Sequence, residues 1–287
     1  MFMRQYHGQY SVKKMAKDLG VSGSGYYAWL DRKPSRHKTE DRHLLGLIVK
    51  IFQEHKGRYG SPRIWRELVE EFNCRISRKR VERLMRENKK HAKGKRKAIK
   101  TTDSSHRQPV FENVLSRDFT AFRPGEKWVS DITYLRTLCG WVYLTVIIDL
   151  YDRKVIGWAL GDNLQASAST VSALKMAVTN RLPRKGLIFH CDRGVQYCCQ
   201  LFRQQLSVIC PSVRQSMSRK GNVWDNACAE SFFKTLKREL GILDGKHTKK
   251  EVKTGVFEYI EMYYNRRRRH SAIGYATPLA LTNNLAA

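Results

Sequence analysis

The chain has 287 residues, 41% of them hydrophobic, which supplies enough apolar side chains for two or three folded units. Its 54 Lys and Arg residues oppose only 26 Asp and Glu residues, giving a net charge of +28. This excess predicts a nucleic-acid partner, because clustered cationic side chains release the counterions that condense on nucleic acid. No apolar run approaches the roughly 20 residues that cross a bilayer, and the N-terminus lacks a signal-peptide pattern, so we expect an intracellular protein without a membrane partner.

Residues 1–36 carry the pattern of two short helices and are predicted to form a helix-turn-helix-like segment. Apolar residues recur there at i, i+3, i+4 and i+7, namely Val12, Met15, Ala16 and Leu19. Gly20 then predicts the end of the first helix. From this stretch alone, a helical hairpin that never touches DNA is an equal alternative.

Residues 37–90 form the predicted helical DNA-binding domain. Pro62 follows Ser61 at the start of one helix, and Ser77 caps the next. In that next helix the apolar residues face inward, which leaves its basic residues available for a DNA groove. These candidate DNA contacts are Arg78, Lys79, Arg80 and Arg83. The alternative is a charged face that meets only solvent.

Residues 91–120 are predicted to be a basic linker. Residues 89–107 have almost no apolar content and many Lys and Arg side chains, which is typical of a flexible connecting segment. The positive charge is denser before residue 111 than after it. We therefore expect DNA reading mainly in the N-terminal part of the chain.

Residues 121–285 are predicted to be α/β, because the hydrophobic period changes there. The predicted strands are 128–135, 141–150, 155–160 and 187–191, with a helix over 169–179 before the last of them. Short turns join the first three strands, which favours an antiparallel meander. A mixed sheet flanked by helices follows from this order.

Three acidic residues occupy ordered positions in this α/β segment. Asp131 falls within the first strand, Asp192 follows the last strand, and Glu230 lies near the start of a helix. In so basic a chain, three gathered carboxylates need a cation to offset their repulsion, and Mg²⁺ prefers carboxylate oxygens together with waters and phosphates. Two such ions would support in-line displacement at phosphorus. Asp149 is expected to be a strand-end residue rather than a metal ligand.

Basic side chains accompany these carboxylates. Lys234 and Lys237 lie at i+4 and i+7 from Glu230, so the three residues share one helix face. Arg193 follows Asp192 directly. We expect the three basic residues to hold phosphate groups. The alternative is an ordinary surface helix in which Glu230 and Lys234 form a weak exposed pair.

Four sequence phrases resemble the catalytic core of bacterial insertion-sequence transposases, namely WVSDITYLRT, HCDRGVQY, SMSRKGNVWDNACAESFFKTLKREL and YYNRRRRHSAIGYATPLA. The resemblance is to the second-frame subunit of the group with a retroviral-integrase-like core. It covers residues 40–282, and RYGSPRIWREL at 58–68 is similar to the helical DNA-binding domain that precedes that core. The resemblance implies a ribonuclease H-like catalytic core.

The resemblance also implies functional residues. The residues that match the catalytic, metal-binding triad of this DDE-type family are Asp131, Asp192 and Glu230, with two Mg²⁺ or Mn²⁺ ions as cofactor. The remaining candidate DNA contacts are Arg58, Arg63, Arg193, Asn222, Asp225, Asn226, Lys234, Lys237, Arg268 and His270. Asp225 and Asn226 equally suit a helix cap, and the arginine cluster before His270 has a disordered basic tail as its alternative.

The function implied is metal-dependent cleavage at insertion-sequence ends followed by strand transfer. The implied partners are double-stranded DNA with terminal inverted repeats, target DNA, further copies of the chain and the upstream-frame subunit, all in the bacterial cytoplasm at the nucleoid. The alternative is a non-catalytic DNA-binding regulator or an inactive relic. Two departures bear on it: 37 residues separate Asp192 from Glu230, two more than is usual in the family, and Cys191 replaces a small hydroxyl residue. We expect the extra residues in a surface loop within SVICPSVRQ.

Overall fold

The computed structural model describes residues 2–94, 109–162 and 166–283. The chain divides into two compact units, Met1–Lys90 and His91–Ala287. Most of the basic stretch that motivated the linker lies outside the described residues, so the four-part division of the chain stays a prediction. No helix in the described ranges has the length and apolar character to cross a membrane.

The first unit consists of helices. They are α1 (Phe2–Tyr6), α2 (Val12–Asp18), α3 (Gly23–Leu30), α4 (Arg36–Glu54), α5 (Ser61–Glu70) and α6 (Arg78–Glu87). The small core beneath α1–α3 contains Met3, Met15, Ala16 and Tyr26. Leu19 does not join it: the residue caps the end of α2 and is 51% exposed, because the helix ends one residue earlier than the apolar period predicts.

Helices α4–α6 pack around a second apolar core. Its fully buried side chains are Ile48, Ile51, Ile64, Leu68 and Val81. The predicted cap of α6 is present, since the Ser77 hydroxyl accepts a hydrogen bond from the Arg80 backbone N–H at 3.3 Å. The inward apolar face of α6 is also as predicted, with Val81, Leu84 and Met85 buried.

The second unit contains a five-stranded mixed sheet. Its strands are β1 (Lys127–Thr137), β2 (Gly140–Asp149), β3 (Val155–Gly161), β4 (Ile188–Cys191) and β5 (Arg214–Met217). They are ordered β3-β2-β1-β4-β5. The first three pair antiparallel, whereas β4 pairs parallel with both β1 and β5. The predicted meander and mixed sheet are therefore confirmed, and β5 is an additional strand.

Helices cover both faces of this sheet. They are α7 (Ala166–Asn180), α8 (Val195–Cys198), α9 (Gln200–Ile209), α10 (Ala227–Leu240), α11 (Lys249–Phe257) and α12 (Pro278–Asn283), with a 3-10 turn over Val223–Asn226 and a π-helix over Glu258–Tyr264. Trp128 packs with α7–α9 in the main core. Because side chains alternate along a strand, Val129 and Asp131 point to the opposite face, on which α10 packs.

The segment expected to hold two extra residues is only partly a loop. Residues 207–215 include the end of α9, a short connection and the start of β5. Cys210 is buried in the main core, and Val213 packs against it. The expected surface-loop insertion stays a prediction: the exposed connection, Pro211 and Ser212, lies between ends that are built into the fold.

Asp149 ends β2 and is fully buried, as a strand-end residue. Its carboxylate accepts hydrogen bonds from Arg181 at 2.9 Å, the Gly125 backbone N–H at 2.7 Å and the Trp128 indole at 3.2 Å. Arg181 also binds Asp152 at 2.7 Å. These hydrogen bonds occupy the Asp149 carboxylate within the protein, which agrees with a structural role.

Candidate active site

Asp131 and Asp192 lie side by side because two parallel strands carry them. Val129 of β1 is in register with His190 of β4. Two residues further along both strands, the chain reaches Asp131 and Asp192. Adjacent strands are about 4.8 Å apart, so the register brings the two carboxylates to one edge of the sheet.

The environment of Asp131 disfavours its ionised form. Loss of hydration is the main reason that its pKa lies well above the usual range, and repulsion from Asp192 and Glu230 raises the pKa further. The Ile132 backbone N–H, 2.8 Å from Asp131 Oδ1, and the Lys237 ammonium act in the opposite direction. The three predicted acidic residues thus share one electrostatic site.

Glu230 and the two lysines of α10 have different partners. Glu230 Oε2 lies 3.4 Å from Lys234 Nζ in a partly exposed pair. Lys237 is half-buried, and burial lowers its pKa while the Asp131 carboxylate opposes that change. Lys237 is therefore the lysine whose charge acts on the Asp131 carboxylate, whereas Lys234 forms an ion pair with Glu230.

The segment carrying Asp192 is fastened to β5. His190 is buried with its ring nitrogens 2.8 Å from Ser216 Oγ and 3.2 Å from Ser218 Oγ, and burial lowers its pKa to about 4. Arg193 Nε donates to the Ser218 carbonyl at 2.7 Å. Arg193 therefore holds the Asp192 segment in place, in addition to any contact with phosphate.

Cys191 faces the apolar core with Cys198 and Met217. Strand alternation turns Asp192 to the other face of the sheet. The replacement of a small hydroxyl residue by Cys191 is therefore accommodated by packing, and burial together with the Asp192 and Asp131 charges raises the pKa of the thiol well above its usual range.

A braced turn leads into α10. Asn222 caps the turn over Val223–Asn226 by accepting from the Trp224 backbone N–H at 3.2 Å. Asn226 is buried, and its side-chain amide donates to the Ser130 carbonyl at 3.0 Å. Because Ser130 precedes Asp131, this bond ties the start of the Glu230 helix to the strand that carries the first aspartate.

The donor set suits a hard divalent cation. Carboxylate oxygens are the preferred ligands of Mg²⁺ and Mn²⁺, and a cation would relieve the repulsion that raises the pKa of Asp131. Within the described ranges, no three acidic, His or Cys side chains are close enough together to hold a metal ion as the side chains now stand. Asp131, Asp192 and Glu230 offer the carboxylate oxygens that suit such an ion, and Glu230 is now paired with Lys234.

Two of the predicted DNA contacts, Asp225 and Arg268, are wrong because their side chains are buried. Asp225 is fully buried and accepts hydrogen bonds from Arg117 Nε at 2.9 Å and Arg219 Nη2 at 2.8 Å, which holds its pKa far below the usual range. Arg268 is 2% exposed, with Nε and Nη2 at 2.9 and 2.8 Å from the Glu239 carboxylate. Both side chains stabilise the fold and offer no surface to DNA.

The prediction that Asn226 contacts DNA is also wrong, because the residue is only 4% exposed and its side-chain amide is hydrogen-bonded to β1. Its predicted alternative as a cap is also not observed, since its side chain makes no capping hydrogen bond to α10. Asn222 lies half-buried, and besides capping the turn its oxygen accepts from Arg117 at 3.0 Å. His270 is half-buried against the ring of Tyr264, with 6.0 Å between ring centroids.

The basic residues of α6 divide into two classes. Arg80 and Arg83 bind Asp41 of α4 at 2.8 and 2.7 Å, so they brace the helical unit. Arg78 and Lys79 are exposed at the start of the helix. Of the four predicted DNA contacts on α6, only Arg78 and Lys79 have the accessibility expected of DNA-reading side chains; Arg86, in the last turn, is exposed as well.

Arg58 and Arg63, the other two candidates of this unit, are both half-buried. Arg63 lies over the Tyr59 ring at 5.7 Å. Their role in DNA contact stays a prediction.

Sequence reasoning missed the two arginines that hold Asp225. Arg117 lies 108 positions before Asp225, so no local pattern could connect them. Arg219 is six positions away and follows a short strand that the sequence pattern did not reveal. A buried acidic residue needs cationic partners, but the sequence does not show which acidic residues are buried.

Models of known protein families match both parts of the chain. The model of an HTH-like domain matches residues 39–98, and two models of an integrase core domain match residues 121–223 and 211–278. Together with the mixed sheet, the integrase core matches confirm the predicted ribonuclease H-like class.

Similar solved structures include the catalytic core domain of HTLV-2 integrase in complex with magnesium, in its trimeric form. Its TM-score is 0.43 at 14% identity, covering 56% of this chain and 99% of that chain. The simian T-cell lymphotropic virus intasome in complex with PP2A regulatory subunit B56 gamma gives a TM-score of 0.46 at 15% identity, covering 75% of this chain and 73% of that chain.

Sequence relatives are much closer. The chain is 40% identical over 294 aligned residues to the transposase InsF for insertion sequence IS3A of Escherichia coli (strain K12), with 100% of this chain and 99% of the relative covered. It is also 40% identical over 268 residues to the insertion element IS600 uncharacterized 31 kDa protein of Shigella sonnei, with 93% of this chain and 96% of that protein covered.

Proposed function

Because the chain belongs to the family of insertion-sequence transposases with an integrase core domain, we propose that it cuts DNA at the ends of an insertion sequence and joins those ends to a second DNA. The observation that carries this proposal is the parallel register of β1 and β4, which aligns Asp131 with Asp192. The raised pKa of Asp131, caused in part by Asp192 and Glu230, supports a site that functions with a cation.

The chemistry proposed is in-line displacement at phosphorus. In the first step a water oxygen attacks the phosphodiester at the element end, the bond to the 3′ oxygen breaks, and that oxygen leaves as a 3′-hydroxyl. In the second step this hydroxyl attacks a phosphodiester of the target DNA and releases another 3′-hydroxyl. Each step exchanges one phosphorus–oxygen bond for another, so no oxidant or covalent protein–DNA link is needed.

The residues of the site have distinct roles in this proposal. Asp131, Asp192 and Glu230 would hold two Mg²⁺ or Mn²⁺ ions, which when bound would activate the attacking oxygen and stabilise the leaving oxygen. Lys237, half-buried beside Asp131, places a positive charge where a phosphate would enter. Lys234 becomes available for phosphate when Glu230 turns away from it.

The helical unit would supply DNA affinity and reading. Arg78 and Lys79 are its exposed basic side chains at the start of α6, the end of a recognition helix that contacts base edges. We propose double-stranded DNA as the partner, with terminal inverted repeats at one step and target DNA at the next. Assembly of several copies on DNA, cooperation with an upstream-frame subunit and action at the bacterial nucleoid complete the proposal.

The test uses purified full-length chain and labelled terminal-repeat DNA with Mg²⁺. The parent should nick the element end and join it to a second DNA, whereas Asp192→Asn should bind the same DNA without cutting it. Glu258→Gln, which alters an exposed carboxylate of the same unit, serves as a matched control and should cut like the parent. Equal cutting by the parent and Asp192→Asn would refute the assignment of the site.

A non-catalytic DNA-binding protein is the second candidate, and one observation favours it. Glu230 is engaged with Lys234, and the described residues contain no assembled three-carboxylate cluster. This candidate predicts DNA binding that ignores Mg²⁺ and no cleavage by the parent under any metal. The same assay therefore separates the two functions.

A further inference from the structure

Trp224 is a large aromatic side chain left in solvent beside the candidate active site. It is 69% exposed, although it lies on the short turn that leads into the Glu230 helix. Burying a tryptophan is strongly favourable, whereas this turn holds the indole outward. The indole is therefore accessible to a binding partner.

The turn that presents Trp224 is held rigidly. The Asp225 carboxylate next to it accepts from the backbone N–H of Arg219 at 3.0 Å and from its side chain at 2.9 and 2.8 Å. Arg117 adds another bond at 2.9 Å. On the other side, the Asn222 oxygen binds the Trp224 backbone N–H. The indole is thus displayed from a fixed backbone, which lowers the entropy cost of using it for binding.

The position of the turn relates Trp224 to the reacting groups. Asn226, two residues after Trp224, donates to the Ser130 carbonyl at 3.0 Å, and Ser130 is the neighbour of Asp131. Glu230 follows six residues after Trp224 in the helix that the turn begins. The turn that carries Trp224 is therefore anchored to the two elements that carry Asp131 and Glu230.

The arginines of the same turn indicate the kind of partner that the indole would bind. The guanidinium groups of Arg219 and Arg117 brace the turn, and their side chains remain 56% and 45% exposed. An exposed aromatic ring on a turn braced by partly exposed arginines is the composition that proteins use for single-stranded nucleic acid, because each base offers a π-face and each phosphate a negative charge. An apolar protein partner would instead require a wider apolar surface around the indole.

We propose that Trp224 stacks on an unpaired base next to the phosphodiester that the carboxylates cleave, and so holds the DNA end open. This inference rests on the proposed function and adds a positioning residue to it. A base must leave its pair before it can stack on the indole, and the stack offsets part of that cost. Stacking does not depend on base identity, so Trp224 would act at any terminal sequence.

The experiment compares Trp224→Ala, Trp224→Phe and the control Phe122→Ala, which removes an exposed aromatic residue preceding β1. Each full-length protein receives terminal-repeat DNA with Mg²⁺, either fully paired or with a mismatch at the base pair beside the cleaved phosphodiester. Trp224→Ala should cut the paired DNA about 5- to 100-fold more slowly than the parent. It should recover most of this loss on the mismatched DNA, while Trp224→Phe and Phe122→Ala should stay near the parent.

A second readout follows the base itself. With 2-aminopurine beside the cleaved phosphodiester and Asp192→Asn present to prevent cutting, adding Trp224→Ala should change the fluorescence of the bound probe from a stacked to an unstacked signal. Cleavage of paired DNA by Trp224→Ala at the parent rate, or an equal loss on both DNAs, would overturn the stacking role. Either result leaves the proposed function standing, which fails instead if the parent does not cut or if Asp192→Asn cuts like the parent.

Discussion

Replacing Asp131 by Asn should stabilise the metal-free protein while abolishing its activity. The register of β1 and β4 leads to Asp131 and Asp192 on neighbouring chain segments, and we take the usual strand spacing of about 5 Å as the separation of their charges. Two like charges at that separation repel by about 3 kcal/mol at an effective dielectric constant of 20. Lys237 offsets part of this repulsion, so we expect the variant to gain about 1–3 kcal/mol in the free energy of unfolding.

The assay is thermal unfolding in EDTA and in Mg²⁺, at a series of pH values. In EDTA at pH 8 the gain corresponds to roughly 2–10 °C in Tm for a unit of this size. Because folding raises the pKa of Asp131, the ionised form is penalised in the folded state. The stability advantage of the Asp131→Asn variant should therefore be absent below the unfolded pKa near 4 and grow as pH rises towards the folded pKa.

Mg²⁺ should raise the Tm of the parent, because the bound ion offsets the repulsion between the Asp131 and Asp192 carboxylates. It should affect Asp131→Asn much less, because that variant lacks one of the two charges. Glu258→Gln, at an exposed position, should follow the parent throughout. The reasoning is refuted if Asp131→Asn is less stable than the parent in EDTA at pH 8, or if Mg²⁺ shifts both proteins equally.

Other residues give shorter tests. Arg268→Leu should destabilise the protein by about 3–5 kcal/mol in urea denaturation, because it removes the buried cation that donates two hydrogen bonds to the Glu239 carboxylate; an unchanged midpoint would contradict this. Asp225→Asn should remove a stabilisation that the parent has at neutral pH and loses as pH falls below about 4, since folding depresses this pKa; parallel Tm curves from pH 7 to pH 3 would speak against it. Arg78→Ala and Lys79→Ala should each weaken DNA binding and reduce its salt slope by about 1, as measured by titration at several salt concentrations; an unchanged slope would remove that residue from the interface.

Much of the fold was predictable because local patterns decide it. The β-branched run of β2 and its short turns fixed the meander, and Ser77 marked the start of α6 where the structure has it. The polar strand β5, Arg214–Met217, was missed since four residues without apolar alternation give no period. Its pairing with β4, rather than its own sequence, makes it a strand.

The site was predictable only where residue type dictates position. Asp131 and Asp192 were placed at strand positions that the parallel register then brings together. The burial of Asp225 depends on Arg117, far away along the chain, and that of Arg268 depends on Glu239. Such long-range ion pairs leave no local signal, so exposed and buried charges look alike in the sequence.

The central claim is that Asp192 binds a catalytic metal ion, and Asp192→Cys tests it most directly. A thiolate is a poor ligand for Mg²⁺ and a better one for softer ions. The variant should bind terminal-repeat DNA, fail to cut it with Mg²⁺ and regain cutting with Mn²⁺ or Cd²⁺, while the parent cuts with Mg²⁺. Cutting by Asp192→Cys with Mg²⁺ at the parent rate would contradict the account.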